Sequence, residues 1–499
     1  MALQLRILLD TNVLIPLHDS QIALRPSLAN VMRLAQGRHQ LLYHPASVRD
    51  IQRDTNVGRR NETLQRLRQF VSLTEGPACP WNIPGLSDND QCDNSILYAL
   101  FRDAAHVLIT EDRKLHAKAA AHNLGDRVYF IQTAEDWLRR LHEPHDIEIP
   151  NIVDVPLNEL TGLLPRPFFN SLRAAYGGRA FDDWFREKAR QGRQAWIYRN
   201  QPADELAALC VYDVQTNEII NDAGFRLPGQ ALKLCTFKVG EAVRGRKIGE
   251  LFLKASFLYA TANACEHIFI DVQEASHPEL VHLLVDFGFE ANGLHNRDTV
   301  YVKKHPLRPP RVPQNVRPFD YARSYYPHYR SDLEVSKFVI PIRPNYHQTL
   351  FNDYPGNDRR APIAHAAHVG NAIKLAYLSG SPSGQIARGD LVLFYRTIDQ
   401  KAITTLAVVE RFDTSADAEQ IAQWVSRRTV YSETDIETMA AAARARNRGV
   451  RVMLFRTLGH LPTPVPRAAM LRMGIRGQLQ STRRINNDTF SRILHDAGW

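Results

Sequence analysis

The sequence predicts a multidomain protein of mixed α/β and α+β class. A parallel-sheet domain comes first, a mixed-sheet domain second and a small β-barrel last. Three observations predict this order. Strand-like and helix-like segments alternate over residues 1–145, as in a parallel sheet covered by helices. Two proline-rich stretches then interrupt the chain. The last third has many short apolar runs and few helical segments, as in a small barrel.

Chain length also favours three domains. The chain has 499 residues, and domains of about one to two hundred residues are typical. The proline-rich stretches lie near residues 142–167 and 305–318, and the prolines of the second are too dense for a helix or a central strand. We therefore predict domains at 1–145, 146–305 and 335–499, with a proline-rich linker over 306–334.

The composition indicates the cell compartment of the protein and the kind of partner it binds. Five cysteines without a C-x-x-C pair favour a reducing cytoplasm over a disulfide framework or a zinc site. The chain has no apolar run long enough to span a membrane and no secretory signal at its start, so we predict a cytoplasmic protein without a membrane partner. The net charge of +9 comes from an arginine excess in the last third. Such an excess favours a polyanionic partner over a merely solvated basic face.

The elements of the first domain follow from local patterns. Short runs rich in Leu, Ile and Val predict strands, and apolar residues at helical spacing predict helices. In chain order these are strand LRILLD, helix SLANVMRLAQ, strand HQLLYHP, helix TLQRLRQFV, helix DNSILYALFRDA, strand HVLIT, helix KLHAKAAAHNL and strand RVYFI.

Four carboxylates mark a candidate site in this domain. Asp10, Asp50, Asp93 and Asp112 each stand at the end of an apolar run. Because like charges at close range raise one another's pKa, four gathered acids favour a cation between them. Hard oxygen ligands suit Mg²⁺ or Mn²⁺, which activate water for phosphodiester hydrolysis. The plain alternative is that these acids are helix N-caps and exposed loop residues.

The segments LLDTNVLI, ITED and DNSILYAL resemble the PIN domain, a metal-dependent ribonuclease fold, over about residues 5–140. The family usually has Glu where Asp50 stands, so Asp54 is an alternative there, and Asp90 is an alternative to Asp93. The resemblance implies a catalytic set of Asp10, Asp50, Asp93 and Asp112, of which Asp10, Asp93 and Asp112 hold the metal.

A second candidate site lies in the middle domain. Strand ALKLCTFKV is followed by the basic turn EAVRGRKIGE and by the amphipathic helix LFLKASFLYATANA. A basic turn that leads into a helix N-terminus binds anions through free backbone N–H groups and the positive end of the helix dipole. Arg244, Arg246 and Lys247 add charge there. The alternative is an ordinary strand–turn–helix connection.

This order, with the later strand HIFIDVQ and the step DFGFE, resembles the acetyl-CoA-binding core of GCN5-related N-acetyltransferases over about residues 168–304. The resemblance implies acetyl-CoA as the cofactor. It also implies a cofactor-binding set of Val239, Arg244, Gly245, Arg246, Lys247, Ile248 and Gly249.

The chain departs from that family at two positions. Lys247 replaces the usual first glycine of the turn, where the backbone becomes less permissive. Leu284 falls where many of these transferases have a tyrosine that protonates the departing thiolate. The proton donor is then another group, with Tyr259, Ser276, His277 or water as candidates. The candidates for deprotonating the amine are Glu241 and Glu274.

The last domain is predicted from strand KFVIPI, helix NAIKLAYLSG, strands LVLFYR and TTLAVVERF, helix ETDIETMAAAARARNRG and strand VRVMLFRTLGHLP. The element RGDLVLFYR, the Arg-rich helix and INNDTFSRIL resemble the PUA-like superfamily, with its ASCH and EVE domains, over about residues 337–499. The resemblance implies RNA binding. Arginine contacts phosphate bidentately and stacks on bases, so we predict a nucleic-acid-binding set of Arg444, Arg446, Arg448, Arg483 and Arg484.

Together these features predict a cytoplasmic, RNA-directed enzyme. It would combine metal-dependent phosphodiester cleavage with acetyl transfer to an amine, on tRNA as one substrate, in a toxin or defence role with an antitoxin partner. One alternative is an acetyltransferase whose PIN-like domain is a nuclease-dead scaffold. Another is a regulator that senses acyl-CoA and nucleic acid without catalysis.

Overall fold

The computed structural model describes residues 4–18, 25–74, 76–142, 152–200, 204–244, 246–311, 316–357, 372–380, 386–425, 428 and 430–499. The chain divides into two compact units. We call residues 1–146, 376–380 and 413–452 the N-terminal unit, and residues 147–375, 381–412 and 453–499 the C-terminal unit.

The first sheet is parallel throughout and has the strand order β3-β2-β1-β4-β5. This confirms the parallel sheet expected from the alternating pattern, although the last predicted strand contains only two paired residues before a helix follows. Its elements are β1 (Arg6–Leu9), α1 (Thr11–His18), α2 (Pro26–Ala35), β2 (Gln40–Tyr43), α3 (Pro45–Gln52), α4 (Val57–Arg66), β3 (Val71–Ser72), α5 (Asp88–Phe101), β4 (Val107–Ile109), α6 (Arg113–Ala121), β5 (Val128–Tyr129) and α7 (Ile131–His142).

The second sheet lies in the C-terminal unit and has the order β11-β12-β10-β9-β8-β7-β6. Only β9 and β10 are parallel in the described register, so the sheet is mixed as expected. Helix α10 makes the crossover between them. The elements are β6 (Val153–Pro156), α8 (Asn170–Tyr176), α9 (Gly178–Arg190), β7 (Gln194–Asn200), β8 (Glu205–Thr216), β9 (Gln230–Val239), α10 (Ile248–Ala262), β10 (His267–Val272), α11 (Pro278–Asp286), β11 (Glu290–His295) and β12 (Asp298–Lys304).

Alternation along the strands gives this sheet two apolar faces. Leu232, Leu234 and Ile270 belong to the core that includes α10 and α11, with Phe252 at its centre. Leu209 and Val211 of β8 face the other way, into a separate core with α9. Packed side chains therefore cover both faces of the sheet. At the strand ends, neighbouring side chains point to opposite faces and so lie on opposite sides of a ligand bound there.

The third sheet has the order β14-β17-β16-β15-β13-β18. It pairs β13 with β15 in parallel and β15 with β16 in antiparallel fashion. The sheet is mixed, and the predicted small β-barrel stays a prediction. The elements are α12 (Pro318–Ser324), β13 (Lys337–Ile342), α13 (Pro344–Leu350), β14 (Lys374–Ser379), β15 (Leu391–Arg396), β16 (Ala402–Ser415), α14 (Ala418–Val425), α15 (Glu433–Arg444), β17 (Val450–Pro466), α16 (Arg467–Arg472), β18 (Arg483–Ile485) and α17 (Asn487–Ala497).

One local prediction was wrong. The segment NAIKLAYLSG, predicted as a helix, forms strand β14, because pairing in the third sheet overrides the helix propensity of its Ala, Leu and Lys residues. The predicted linker contains helix α12, whose Phe319 and Tyr321 are buried, so this part packs into the C-terminal unit.

Helices α14 and α15 belong to the N-terminal unit although they follow β16 in the chain. The carboxylate of Glu433 in α15 lies 2.7 Å from Nδ1 of His142 at the end of α7. Arg428 donates to Asp126 at 3.1 Å. These contacts fix residues 413–452 against the first sheet's helices.

Candidate functional site

A gap opens between the two parallel strands of the second sheet. Strands β9 and β10 pair from Ala231–His267 to Leu234–Ile270, and β9 then continues to Val239 without a further β10 partner in the described register. Its other edge stays paired with β8 as far as Val239–Ala208. We call this space, between the end of β9 and the end of β10, the strand gap.

The cause of the gap is a bulge. Thr236 pairs with Val211 and Leu234 pairs with Tyr212, so Cys235 is an extra residue on β9. A bulge bends its strand and increases the local twist, which turns β9 away from β10. The backbone N–H and C=O groups on that edge of β9 then face the gap, where an extended ligand can pair with them as an added strand would.

Side chains line the gap from both faces of β9. Phe237 points to α10, with its ring 5.4 Å from the ring of Phe252. Lys238 points the other way, where its ammonium donates to Ser171 and lies 4.8 Å above the ring of Phe168. Burial lowers the pKa of Lys238 to about 8, and the nearby Glu241 opposes that shift.

The basic turn connects the gap to helix α10. We call residues 240–249 the anion turn. It begins at Gly240, where an added Cβ would lie 2.7 Å from the carbonyl oxygen of Ala207, so only glycine permits this close backbone approach. A 3₁₀ turn follows at Glu241–Val243, and α10 begins at Ile248.

The predicted cofactor residues have different surroundings in the anion turn. Val239 ends β9, Ile248 is buried, and an added Cβ on Gly249 would lie 3.1 Å from Leu283. Arg246 donates to the side chain of Asn200 at 3.3 Å. The side chain of Arg244 is 22% exposed, with Glu241 at 4.0 Å. Gly245 lies outside the described residues.

The sequence predicted that Lys247 adds charge to the anion site, but its side chain is bound elsewhere. Its backbone adopts the left-handed conformation, with φ of 57°, which a glycine would adopt at lower cost. Its ammonium donates to the carbonyl oxygen of Lys374 in β14 at 2.9 Å. Glu250, also near the start of α10, accepts from the backbone amide of Lys374 at 2.5 Å. The charge available to an anion therefore comes mainly from the turn's backbone and its arginines.

The residues considered for proton transfer are mostly engaged elsewhere. Leu284 is fully buried in the core that includes α10 and α11. Tyr259 packs on Tyr212, with 4.8 Å between the ring centroids. Ser276 donates to Gln273 at 2.6 Å, and Glu274 accepts from Tyr301 at 2.6 Å. His277 precedes α11, and Glu241 is exposed.

The sequence interpretation missed a cluster on the opposite face from α10. Asp271 of β10 lies 3.0 Å from the ammonium of Lys233 and 3.3 Å from Nδ1 of His295. A signal was present, because Asp271 is a single acid within the otherwise apolar strand HIFIDV. His295 had no comparable signal, since β12 separates β11 from β10 in the sheet.

Asp10 and Asp112 come after the carboxyl ends of the parallel strands β1 and β4, whereas Asp50 lies within α3 and Asp93 within α5. Asp10 follows β1 and is 6% exposed. Its carboxylate accepts from the Thr110 hydroxyl, the Asn12 amide and the Thr11 backbone, each at 2.7 Å. The pKa of Asp10 is raised to about 6, first by burial and then by Asp93 and Asp112, against the lowering effect of the Thr110 and Thr11 hydrogen bonds.

The half-buried thiol of Cys92 lies within electrostatic reach of three of the acids. The pKa of Cys92 is raised to about 12, first by burial and then by Asp50, Asp10 and Asp93. Asp54, the alternative to Asp50, instead forms an ion pair with Arg59 at 2.6 Å. Asp10, Asp50 and Asp93 therefore share one neighbourhood.

These acids do not form a metal-binding group as they stand. Lys118 bridges Asp93 at 2.9 Å and Asp90 at 2.7 Å. Asp112 caps α6 by accepting from the backbone amides of Lys114 and Leu115, which is the N-cap alternative. Within the part of the chain that the structure describes, no group of three or more His, Cys, Asp or Glu residues is placed to hold a metal ion. The donor chemistry suits a hard cation, but the arrangement does not fit one.

The predicted nucleic-acid-binding arginines fall into two groups. Arg444 ends α15, and Arg446 and Arg448 follow it; all three are exposed in the N-terminal unit. Arg483 and Arg484 lie on strand β18 in the C-terminal unit, where Arg483 donates to the carbonyl of Arg476. The structure thus assigns the five residues to separate units.

No family model matches the chain, and no curated protein does. Solved structures match parts of it. The ASCH protein of Zymomonas mobilis is 12% identical, with 32% of this chain and 94% of that chain covered and a TM-score of 0.24. The N-acetyltransferase PaiA of Thermoplasma acidophilum, solved in complex with coenzyme A, is 13% identical, with 31% and 99% covered and a TM-score of 0.23.

A third likeness is to the histone acetyltransferase HPA2 and related acetyltransferase of Corynebacterium glutamicum. It is 15% identical, with 34% of this chain and 99% of that chain covered and a TM-score of 0.25. Likenesses at this level assign no activity. Among the described helices, none is both long and apolar enough to cross a membrane.

Proposed function

We propose that this protein is an acyl-CoA-dependent N-acyltransferase that acts on a partner bound by its basic surfaces. The observation that carries the proposal is the strand gap, since the bulge at Cys235 frees one edge of β9 directly before the anion turn. An acyl-CoA molecule has an amide-containing arm and a diphosphate. The arm suits the free strand edge, and the diphosphate suits a helix N-terminus flanked by arginines.

Different residues of the chain bind the two parts of the acyl-CoA molecule. Backbone groups of β9 after Cys235 pair with the amides of the arm. Gly240 and Gly249 keep the turn close to β8 and to Leu283, so that the amides at the start of α10 stay accessible. Arg244 and Arg246 neutralise the diphosphate.

We expect acetyl-CoA to bind the full-length protein in a calorimetric titration, and Arg244→Ala or Arg246→Ala to weaken the affinity about tenfold each. A hydrogen bond to a charged group contributes about 1.5–3 kcal/mol, and about 1.4 kcal/mol is tenfold in affinity. Arg190→Ala, at the far end of α9, is the matched control. Unchanged affinity in both turn variants would contradict the proposed diphosphate site.

We also propose that the exposed arginines after α15 bind RNA. Phosphate contacts release counterions, so the logarithm of the affinity falls with the logarithm of salt concentration by about 0.7 per contact for single strands. Replacing Arg444, Arg446 and Arg448 by alanine should lower that slope by about 2 in filter binding with total tRNA. The control replaces three exposed arginines of the proline-rich segment, Arg308, Arg311 and Arg317. A slope that falls equally in both triple variants would reject a specific surface.

A second candidate function, metal-dependent RNA cleavage, rests on the convergence of Asp10, Asp50 and Asp93 around Cys92. This candidate predicts, against the arrangement of the acids described above, that Mn²⁺ raises the melting temperature of the protein and that Asp10→Asn abolishes that rise, because a ligand stabilises only the state it binds. Asp103→Asn, an exposed acid in the same unit, is the control. If Mn²⁺ has no effect on the wild type and total RNA stays intact on a denaturing gel, the acids form a scaffold. The tRNA substrate, the antitoxin partner and the toxin role stay predictions from sequence.

A further inference from the structure

We call Asp271, Lys233 and His295 the Asp271 cluster. It lies at the mouth of the strand gap, where β9 and β10 stop pairing. The last β9–β10 pair is Leu234–Ile270, so Asp271 is the first residue of β10 beyond it. Its neighbour Ile270 faces the α10 core, and alternation therefore sends Asp271 to the opposite face. There its Oδ2 contacts Lys233 at 3.0 Å and His295 at 3.3 Å. The cluster therefore lies at the place in the sheet where the strand gap begins.

A tight hairpin places His295 beside Asp271. Asn296 and Arg297 form the turn between β11 and β12 with positive φ values of 49° and 79°, the combination that a two-residue hairpin with both central residues left-handed requires. The backbone amide of Asn296 donates to the carboxylate of Asp222, at 3.2 and 3.4 Å to its two oxygens. His295, at the last position of β11, is held by this anchored turn.

The hydrogen bonds indicate which nitrogen of His295 is basic. The side-chain amide of Asn296 lies 3.1 Å from Nε2 of His295. Since that amide nitrogen only donates, Nε2 accepts and Nδ1 carries the hydrogen that Asp271 receives. A carboxylate that holds Nδ1–H in this way orients the ring and stabilises its protonated form. The His295 side chain is 39% exposed, so a substrate can reach Nε2 by displacing the Asn296 amide.

Acidic groups make this mouth suitable for a cation. Asp298 pairs with His295 across the hairpin. Its pKa is raised by burial and then by Asp271, while His277 and His295 lower it. The phenol of Tyr176, at the end of α8, is exposed and within electrostatic reach of both carboxylates. Lys233 lies 3.0 Å from Asp271, Asp222 accepts from the backbone of Asn296 beside His295, and Arg297 belongs to the same turn.

We propose that His295 is the base of the acyl transfer, that Asp271 is its positioning residue, and that the acceptor is a primary amine whose ammonium form binds beside Asp271 and Asp298. This inference rests on the proposed acyltransferase function. The ammonium gives one proton to Nε2 of His295, and the resulting amine attacks the thioester carbon. A C–N bond forms and the C–S bond breaks. The second proton lost by the nitrogen passes to the thiolate of coenzyme A, so that one amide and one thiol leave, and His295 then returns its proton to the solvent.

The test uses the full-length protein, acetyl-CoA, and spermidine, lysine amide and benzylamine as probe amines, with thiol release as the readout. His295→Gln should lower kcat/KM about 100-fold, the ordinary contribution of a general base, while the Kd for acetyl-CoA changes less than twofold. The wild-type pH profile should bend where His295 loses its proton, and the variant should lack that bend. Added imidazole should restore part of the rate in His295→Ala. His282→Gln, at an exposed position of α11, is the matched control.

Asp271→Asn should lower the rate about tenfold or more and keep the bend, because the carboxylate acts through the imidazole. A structural salt bridge would not produce imidazole rescue or a lost bend.

The outcomes separate the two proposals. A His295→Gln protein with wild-type kcat/KM and pH profile overturns this inference and leaves the acyltransferase standing. A variant that loses acetyl-CoA binding together with turnover gives His295 a structural role and also overturns it. A wild type that binds acetyl-CoA but acylates none of the three amines rejects the substrate class. A wild type that neither binds acetyl-CoA nor releases thiol rejects the proposed function itself.

Discussion

Replacing Asp286 by alanine should destabilise the C-terminal unit by about 3–5 kcal/mol, the usual cost of removing one partner from a buried ion pair. Asp286, at the end of α11, accepts from Arg456 at 2.7 Å and from Lys374 at 2.5 Å. Arg456 is 1% exposed and also donates to the backbone carbonyl of Asp286 at 2.8 Å. The alanine variant leaves two largely buried cations facing the carboxylate of Glu410, which lies 3.3 Å from Arg456 and 3.7 Å from Lys374.

The cost is large because Arg456 cannot regain water by a small movement. The Arg456 guanidinium lies 5.0 Å from the ring centroids of both Phe287 and Phe319, which enclose it. Urea unfolding followed by tryptophan fluorescence measures the loss as a lower midpoint for one transition. The control is Asp320→Ala, whose partner Arg388 is 3.9 Å away with both side chains exposed. Such a pair contributes at most about 1 kcal/mol. Equal midpoints in the two variants would contradict the buried network.

The second large effect concerns Lys303, whose side chain is fully buried. Its ammonium donates to the carbonyl oxygens of Arg323 and Ser324 at 3.2 and 2.9 Å. Burial lowers the pKa of Lys303 from 10.5 to about 7, and Arg456 and Arg323 lower it further in the same direction. In the unfolded chain the lysine keeps its ordinary pKa.

The sign of the pH dependence follows from these values. Between pH 7 and 10.5, the unfolded state binds more protons than the folded state, so this lysine makes stability rise with pH. Below pH 7 both states are protonated and the full penalty of the buried charge applies, roughly 3–5 kcal/mol for a shift of this size. Lys303→Met should remove this rise from the stability–pH curve.

Urea midpoints at pH 6, 7.5 and 9 test this expectation. The difference in unfolding free energy between Lys303→Met and the wild type should shift in favour of the wild type by several kcal/mol as pH rises. The methionine leaves two carbonyl groups without their donor, which costs about 1–3 kcal/mol each at every pH, so the slope is the decisive quantity. Lys304→Met, an exposed neighbour, should show no such slope. A constant difference across the three pH values would reject a depressed pKa for Lys303.

The sequence predicted those features that depend on neighbouring residues. The strand, anion turn and helix from β9 to α10 follow from a glycine-containing basic turn between an apolar run and a helical pattern. Asp10 and Asp112 follow from their positions after buried strands. These signals are local, and tertiary packing agrees with them.

Features that depend on distant pairing escaped the sequence interpretation. The bulge at Cys235 exists only relative to the register of β8. Asp271 and His295 meet across β12, and Lys374 contacts the start of α10 from a distant part of the chain. Strand β14 itself was mistaken for a helix, since its propensity is outweighed by its place in a sheet.

The composition of the N-terminal unit has a consequence for how the protein is made. Its last segment, residues 413–452, includes the partners of His142 and Asp126. The ribosome synthesises these residues late. The first sheet therefore lacks part of its packing partners while the second sheet is synthesised and begins to fold. A gene fragment that stops after residue 146 encodes only part of this unit. Study of the unit in isolation therefore requires the 413–452 segment to be supplied, either joined by a designed loop or co-expressed.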